Sequence, residues 1–347
     1  MIAFRLDANA AVATGHMYRC ISIAKKCREL GKECLFLLAE NEYTEILQKE
    51  NMPYYVLGIK WDDWNYGIEK INQCLEEFHV ECLVVDSYRV TENFFDKLSD
   101  KVKIFYLDDL CKKVYKINAV LHYSEWDQEQ ILADLYKDTE VKVYSGMKYM
   151  PLRECFEKSL EIEEKKYKLM ITTGGSDTYH ITLELLKELA KDDIWVKEPI
   201  CAVLGKLNVD REEIEELAKI YSNISIMQNI SNMDEIMRQS ECAVTAGGTS
   251  VYELMASGVP FVCFGFSEDQ KYFGERLEEY GNAFWAGDAR EGVESLIKKL
   301  LLSIKKIQTM NFEEKQDMIQ KNRALLDGQG SKRIAEILVQ LCNKTES

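Results

Sequence analysis

The sequence predicts an α/β protein built from two domains, each with a parallel sheet. Three observations point there. Short apolar runs of strand character alternate with amphipathic helical stretches along the chain. The alternation lapses once, near the middle. The 347 residues are too many for one ordinary open-sheet domain but suit two, of roughly 150 to 180 residues each.

The elements follow in order. Residues 2–6, 34–38, 82–86 and 104–108 are strand-like runs of the first domain, and 169–173, 200–205, 224–228, 243–246 and 260–264 those of the second. Between them lie helical stretches. In 16–30 the positions Met17, Cys20, Ile21, Ala24, Cys27 and Leu30 form one apolar stripe, which would pack on a sheet, and Gly31 is a natural stop. Between Tyr149 and Tyr167 the pattern lapses: Pro151 is followed by a stretch, 161–168, in which six of eight residues are charged. That segment predicts the interdomain linker. The expected domains are therefore 1–152 and 166–330, with 331–347 as a final helix. Residues 311–343 read as helix, with Ile319, Ile334, Ile337, Leu338 and Leu341 on one side, free to close the second domain or to return to the first.

Composition narrows the function classes. Hydrophobic residues make up 46% and charged residues 30%, with only 4 prolines, so a folded chain is expected nearly end to end. The formal charge of −15 opposes a nucleic-acid backbone or an anionic membrane surface as partner. A small anion remains open, because backbone N–H groups at helix starts hold a diphosphate without a large positive field. The 11 cysteines are scattered singly without a C-x-x-C pair, which suits a reducing compartment. The start runs straight into a strand, and no apolar run approaches the ~20 residues of a membrane span. The expected location is cytoplasmic. The oligomeric state stays open.

Four segments carry chemistry. In the first, Phe4-Arg5-Leu6-Asp7 runs through Thr14-Gly15 into His16-Met17-Tyr18-Arg19, a strand end, a loop and a helix start. Parallel sheets bind ligands at the carboxyl ends of their strands, so His16 is a candidate catalytic base, with Asp7 or Asp86 to orient it. A capping or solvent-facing histidine is the plainer alternative, as is a surface ion pair for Arg5 and Arg19. In the second, Val84-Val85-Asp86-Ser87-Tyr88 and Leu107-Asp108-Asp109-Leu110 put carboxylates and a phenol on the same rim. Adjacent strand side chains point apart, and no His or Cys cluster accompanies Asp108-Asp109, so neither a metal nor a cofactor is expected.

The third segment, Ile171-Thr172-Thr173-Gly174-Gly175-Ser176-Asp177, takes a strand through two glycines towards a helix expected near Asp177-Thr178, whose N–H groups would suit a phosphate. A tight turn that needs glycine for positive φ reads the same way. In the fourth, the strand 243–246 ends in Gly247-Gly248, where Thr249 and Ser250 can cap a helix and meet phosphate. Glu253 lies one turn in, placed for two ribose hydroxyls. A capping box would look alike.

Together these segments, with Asn232-Met233-Asp234-Glu235-Ile236-Met237, resemble the PseG family from Phe4 to about Gly281. That family comprises UDP-sugar hydrolases of pseudaminic acid synthesis, with the spore-coat SpsG proteins beside it. The second half also resembles the UDP-binding half of MurG, in its Asn232-Met233 loop, its Gly-Gly-to-Glu253 motif and the pair Asp269-Gln270. The resemblance implies a GT-B fold, two Rossmann-like domains facing across a cleft. It implies Met233 at a uracil, Glu253 at a ribose and Thr249 and Ser250 at a diphosphate. Gly15, Arg19, Gly174, Gly175, Ser176, Gly247, Gly248, Asp269 and Gln270 would line the substrate, with His16, Asp7 and Tyr88 at the chemistry.

The implied reaction removes UDP from UDP-2,4-diacetamido-2,4,6-trideoxy-β-L-altropyranose by water that His16 activates, without a metal. Two positions depart from the family pattern. Asp269 stands where an Asn is usual, and Tyr18 where an aliphatic residue is usual. A glycosyltransferase using the same UDP pocket and a non-catalytic nucleotide-sugar sensor are the other readings.

Overall fold

The computed structural model describes residues 1–7, 15–123, 126–157, 164–228, 230 and 232–343, with the backbone alone at 126–128. Thr14 of the first motif and residues 161–163 of the charged segment lie outside the described residues. In chain order the elements are β1 (Ile2–Leu6), α1 (Gly15–Glu29), β2 (Cys34–Leu38), α2 (Thr44–Lys49), β3 (Tyr54–Val56), α3 (Ile68–Glu77), β4 (Cys82–Asp86), α4 (Glu92–Leu98), β5 (Lys103–Leu107), β6 (Ala119–His122), α5 (Trp126–Tyr136) and β7 (Lys142–Ser145). There follow β8 (Leu169–Thr172), α6 (Ile181–Leu189), β9 (Ile200–Leu204), α7 (Arg211–Ile220), β10 (Ile224–Gln228), α8 (Met233–Arg238), β11 (Ala243–Ala246), α9 (Thr249–Ser257), β12 (Phe261–Gly265), α10 (Glu268–Glu279), β13 (Phe284–Asp288), α11 (Val293–Thr309), α12 (Phe312–Leu325) and α13 (Gly330–Asn343).

The chain divides into two compact units, Met1–Glu154 with Gly328–Ser347, and Cys155–Asp327. In the first, all strands are parallel in the order β3-β2-β1-β4-β5-β6-β7. In the second they are parallel in the order β10-β9-β8-β11-β12-β13. Each sheet therefore grows outward in both directions from its first strand, the doubly wound pattern whose order reverses between the first and fourth strands.

Sheets covered on both faces need strands apolar along their whole length. β1, β2 and β4 of the first unit, and β9 and β12 of the second, are accordingly buried at every position. One core forms around Leu37, Leu83, Phe94, Ile104 and Val120, the other around Ile171, Leu185, Ala202, Val244 and Leu300.

The expected strands are present with ends shifted by at most a residue. Four more, β3, β6, β7 and β13, were not read from the sequence, because runs of three to five residues with polar or half-exposed members carry little periodic signal. In α1 the residues Met17, Cys20, Ile21, Ala24 and Cys27 are buried as expected, and Gly31 closes the helix with φ +79°. Leu30 departs from the stripe: it lies beyond the last turn and is exposed.

The single helix expected over 311–343 is two. Asn311 opens α12 with a capping box to Glu314, and the helix ends at Leu325 before Gly328, which has φ +80°. α13 then packs on α1 in the first unit. Gly330 starts it against the carbonyl of Met150, so close that a Cβ would lie 2.1 Å from the oxygen. Among the described residues no helix is long and apolar enough to cross a membrane.

Candidate active site

In the first sheet β1 and β4 are neighbours at the point where the strand order reverses, and Leu6 pairs with Asp86 at their carboxyl ends. α1 starts at this rim, and His16, its second residue, meets the end of β4. Its Nδ1 lies 2.9 Å from Oδ1 of Asp86 and 3.2 Å from the Asp86 carbonyl oxygen. Asp86 is fully buried, which opposes its charge. Arg19 and then His16 outweigh that burial and hold the carboxyl well below the usual carboxylate range.

An ionised carboxylate only accepts hydrogen bonds. Nδ1 therefore carries the proton, and in the neutral ring Nε2 carries the lone pair. Nε2 is buried with no hydrogen-bond partner among the described residues. Burial also works against the imidazolium, but the charge and hydrogen bond of Asp86 prevail and raise the pKa of His16. Tyr88 stands edge-on to the imidazole, ring centroids 4.8 Å apart. Burial, then the nearby Asp109, pushes its phenol up to about 12, so it stays protonated at neutral pH.

The structure gives each polar group of this rim its partner. Asp7 and Asp86 were both open as the orienting carboxylate, and the hydrogen bond is made by Asp86. Asp7 accepts from Ser87 Oγ and lies 3.3 Å from the buried Arg5 guanidinium. Arg19, expected on the substrate, is only 9% exposed. Its Nε donates to Asp86 Oδ2 at 2.6 Å, Nη2 to Asp86 and to Asp109 at 2.8 Å, and Nη1 to Tyr123. Two carboxylates from neighbouring strand ends converge on it, so it positions Asp86. Asp108 and Asp109 diverge, since Asp108 Oδ1 accepts from the N–H groups of Leu110 and Cys111 instead. Among the described residues, His16, Asp86 and Asp109 bring possible metal-ligand atoms within 4.8 Å of one another. The cation those two carboxylates hold is the Arg19 guanidinium.

In the second sheet β8 and β11 are the neighbours at the reversal. β11 ends at Ala246, and the N–H of Gly247 donates to Phe264 at 2.8 Å. The turn is tight: a Cβ on Gly247 would lie 3.0 Å from Gln270 Cβ. Gly248, in extended backbone, occupies the cap position of α9 without a side-chain cap. Thr249 and Ser250 are thus the first two helical residues, not caps, and the capping box that the sequence permitted does not form. Thr249 is exposed, and Gly247, Gly248 and Ser250 are partly so. First-turn N–H groups have no carbonyl one turn back and point along the positive end of the helix dipole. Glu253 follows one turn in, 8% exposed.

Residues 150–327 match the family model described as the glycosyltransferase family 28 C-terminal domain, about half of the chain. The chain belongs to that family. The family 28 domain thus contains the Gly247 turn, α9 and Glu253. Among curated relatives, the UDP-2,4-diacetamido-2,4,6-trideoxy-beta-L-altropyranose hydrolase of Campylobacter jejuni is 24% identical over 76% of this chain and 91% of its own length. The spore coat polysaccharide biosynthesis protein SpsG of Bacillus subtilis is 22% identical over 94% of each. The chain is PseG- and SpsG-like. Of another relative, 26% identical over 78% of this chain, the match spans 56% of the length. The solved structure of Acinetobacter baumannii MurG covers 98% of this chain and 99% of its own, with a TM-score of 0.67 at 12% identity. That likeness shows the fold, which is GT-B.

Within the family 28 domain the remaining expected residues separate. Met233 is half-buried as the first residue of α8. Asp269 is exposed in the first turn of α10, while Gln270 accepts from the N–H of Phe266 at 3.1 Å and packs on the Gly247 turn. The Gly174-Gly175-Ser176 turn follows β8, with Gly174 at φ +90°. The helix expected near Asp177-Thr178 begins instead at Ile181. The carboxylate of Asp177 accepts from the N–H groups of Ile181 and Thr182 at 2.9 and 2.8 Å. A phosphate cannot take those two donors, and it would meet a negative charge there. Of the residues at the two rims, sequence reasoning assigned no role to Tyr123, and it gave Asp109 no part in holding Asp86. The doublet Asp108-Asp109 was a signal for the second. Tyr123 had none, because its contact with Arg19 spans 104 positions.

Proposed function

We propose that this protein is a cytoplasmic UDP-sugar hydrolase that releases UDP from UDP-2,4-diacetamido-2,4,6-trideoxy-β-L-altropyranose or a close relative in nonulosonic acid synthesis. The observation that carries the reading is the state of His16. Its Nδ1 is engaged by an ionised carboxylate and its Nε2 is left with a lone pair and no partner among the described residues. In this mechanism Nε2 accepts a proton from water as the water oxygen attacks the anomeric carbon. The bond from that carbon to the β-phosphate oxygen breaks, and UDP leaves with the electron pair.

The family 28 domain takes the UDP. The first-turn N–H groups of α9, with the hydroxyls of Thr249 and Ser250, receive the diphosphate and stabilise the charge that grows on it. Glu253 accepts from the ribose hydroxyls, Met233 packs on the uracil, and Gln270, whose oxygen is engaged by Phe266, offers its amide N–H groups to the sugar. Tyr88, protonated beside the imidazole, donates to the substrate near the reacting centre. Asp86 and Arg19 are positioning residues. The name of the Campylobacter jejuni relative supports the choice of substrate and of water as acceptor.

A transferase reading rests on the family 28 match, since a UDP pocket of this kind serves either chemistry. Purified protein incubated with the UDP-sugar and no acceptor separates the two. Equal amounts of UDP and free sugar are expected; donor that stays intact until an acceptor alcohol is supplied would favour the transferase. UDP binding without turnover under either condition would mark a sensor.

A further inference from the structure

Between β3 and α3 runs Trp61-Asp62-Asp63-Trp64-Asn65, a segment with no part in the proposed reaction. Two of its rings carry guanidinium groups. Arg5 lies over Trp64, 4.1 Å from the ring centroid, and Arg89 lies over Trp61 at 5.0 Å. Trp64 is buried and meets Phe94 of α4 edge-on, with centroids 4.9 Å apart. Beside it the side-chain oxygen of Asn65 accepts from Thr91 Oγ1 at 2.8 Å and from Asn93 Nδ2 at 3.0 Å. Apart from Arg5, near the end of β1, all these partners follow β4, in the stretch that carries Tyr88. There Ser87 donates through Oγ to Asp7 and accepts at Oγ from the N–H of Arg89 at 2.9 Å, while its carbonyl accepts from Tyr106 Oη at 3.2 Å. Arg5 reaches Asp7 as well, which closes a ring of contacts through Trp64, the chain from 64 back to 61, Trp61, Arg89 and Ser87.

We infer, on the strength of the role proposed for Tyr88, that residues 61–65 are a strap that fixes the backbone of 87–91 and through it the direction of the Tyr88 phenol. Tyr88 is 47% exposed, and its ring meets His16 edge-on. A side chain so open to solvent takes its direction largely from its backbone, which neighbouring contacts have to lock. Trp61, Asn65 and Arg5 are then positioning residues for the reaction, and Arg89 is the link between the strap and Tyr88.

The burial of Arg5 supports a positional role over a stabilising one. Its guanidinium is fully buried, and Nε and Nη2 have no hydrogen-bond partner among the described residues. Buried N–H groups left in that state cost stability, and a well-packed apolar residue in place of a buried ion pair is often as stable or more so. What Arg5 provides, and an apolar residue would not, is a simultaneous hold on Trp64 and Asp7. Asp7 in turn holds Ser87, the residue before Tyr88.

A double-mutant cycle on the full chain tests this, with turnover of the UDP-sugar, UDP affinity by calorimetry and urea unfolding as readouts. Trp61 is half-buried, so Trp61→Ala should unfold at nearly the parent urea concentration and bind UDP as the parent does. Its kcat should fall by about tenfold to ~100-fold, the usual penalty for misplacing a group at the reacting centre. Trp61→Phe, which keeps a ring under Arg89, should recover most of that loss. In Tyr88→Phe, where no hydroxyl remains to be aimed, adding Trp61→Ala should lower kcat by less than about twofold. An equal loss in both backgrounds would overturn the strap, as would Trp61→Ala with parent activity while Tyr88→Phe is impaired. Tyr88→Phe with parent activity would overturn the role of Tyr88 itself, and the strap with it.

Discussion

The imidazole of His16 is tied through Nδ1 to Asp86, 2.9 Å from its Oδ1, while its Nε2 has no hydrogen-bond partner among the described residues. Asp86 is itself gripped by Arg19, which also holds Asp109 and Tyr123. A neutral imidazole so anchored is oriented and of fixed tautomer, which a general base requires. Four predictions follow from this chain of contacts and from the Gly247 turn.

His16→Ala removes the proton acceptor and leaves the family 28 domain intact. Turnover should fall at least ~100-fold, the usual size of a general-base contribution. UDP affinity, read by calorimetry, should be nearly unchanged. A loss in turnover below about tenfold would remove His16 from the mechanism.

The pH profile should carry the mark of Asp86. His16 works as a base only when neutral, and its pKa is raised because Asp86 outweighs the effect of burial. Activity should therefore rise with pH along a limb placed above the ordinary histidine value of about 6.5. In Asp86→Asn the favourable charge is gone while burial remains, so the limb should move to lower pH by about one unit or more. A kcat/KM profile whose acid limb is the same in both proteins would show that some other group titrates.

Arg19→Leu leaves Asp86 and Asp109 without their shared cation in a buried setting. Breaking such a pair costs about 3–5 kcal/mol, so urea unfolding of the first unit should shift by about that amount. Arg19→Lys keeps the charge but not the two-pronged grip on Asp86, and should recover part of the stability and less of the turnover. Unaltered stability of the Leu variant would mean that Arg19 belongs to the substrate.

Glu253→Ala tests the placement of the nucleotide. Losing charged hydrogen bonds to ribose should weaken UDP binding by about 1 to 3 kcal/mol, which is roughly 5- to 150-fold in Kd. If titration finds the affinity of the parent chain, the UDP sits elsewhere.

Much of the fold was legible because parallel strands buried on both faces are apolar throughout, and their helices keep one stripe. Cys34–Leu38 and Ile200–Leu204 announce themselves this way. Tyr54–Val56 and Lys142–Ser145 lie at the edges of their sheet, where half-exposed residues blur the pattern. The glycines at 328 and 330 are the local signal that residues 311–343 form two helices, yet the apolar period on both sides masked it.

The sequence by itself determined the order of the strands that carry strong apolar runs, and where each of those ends to within a residue, because hydrophobic period, caps and glycines act over a few positions. His16, Asp86 and the Gly247 turn could be named as rim residues on that basis. Only the tertiary structure decided which partner each polar group takes. That Asp86 and not Asp7 holds His16, that Arg19 is occupied by Asp86 and Asp109, and that Asp177 caps α6 all depend on which neighbour satisfies a buried charge or N–H group. Such partners come from strand register and helix packing between residues far apart in the chain, as with the 67 positions separating Arg19 from Asp86.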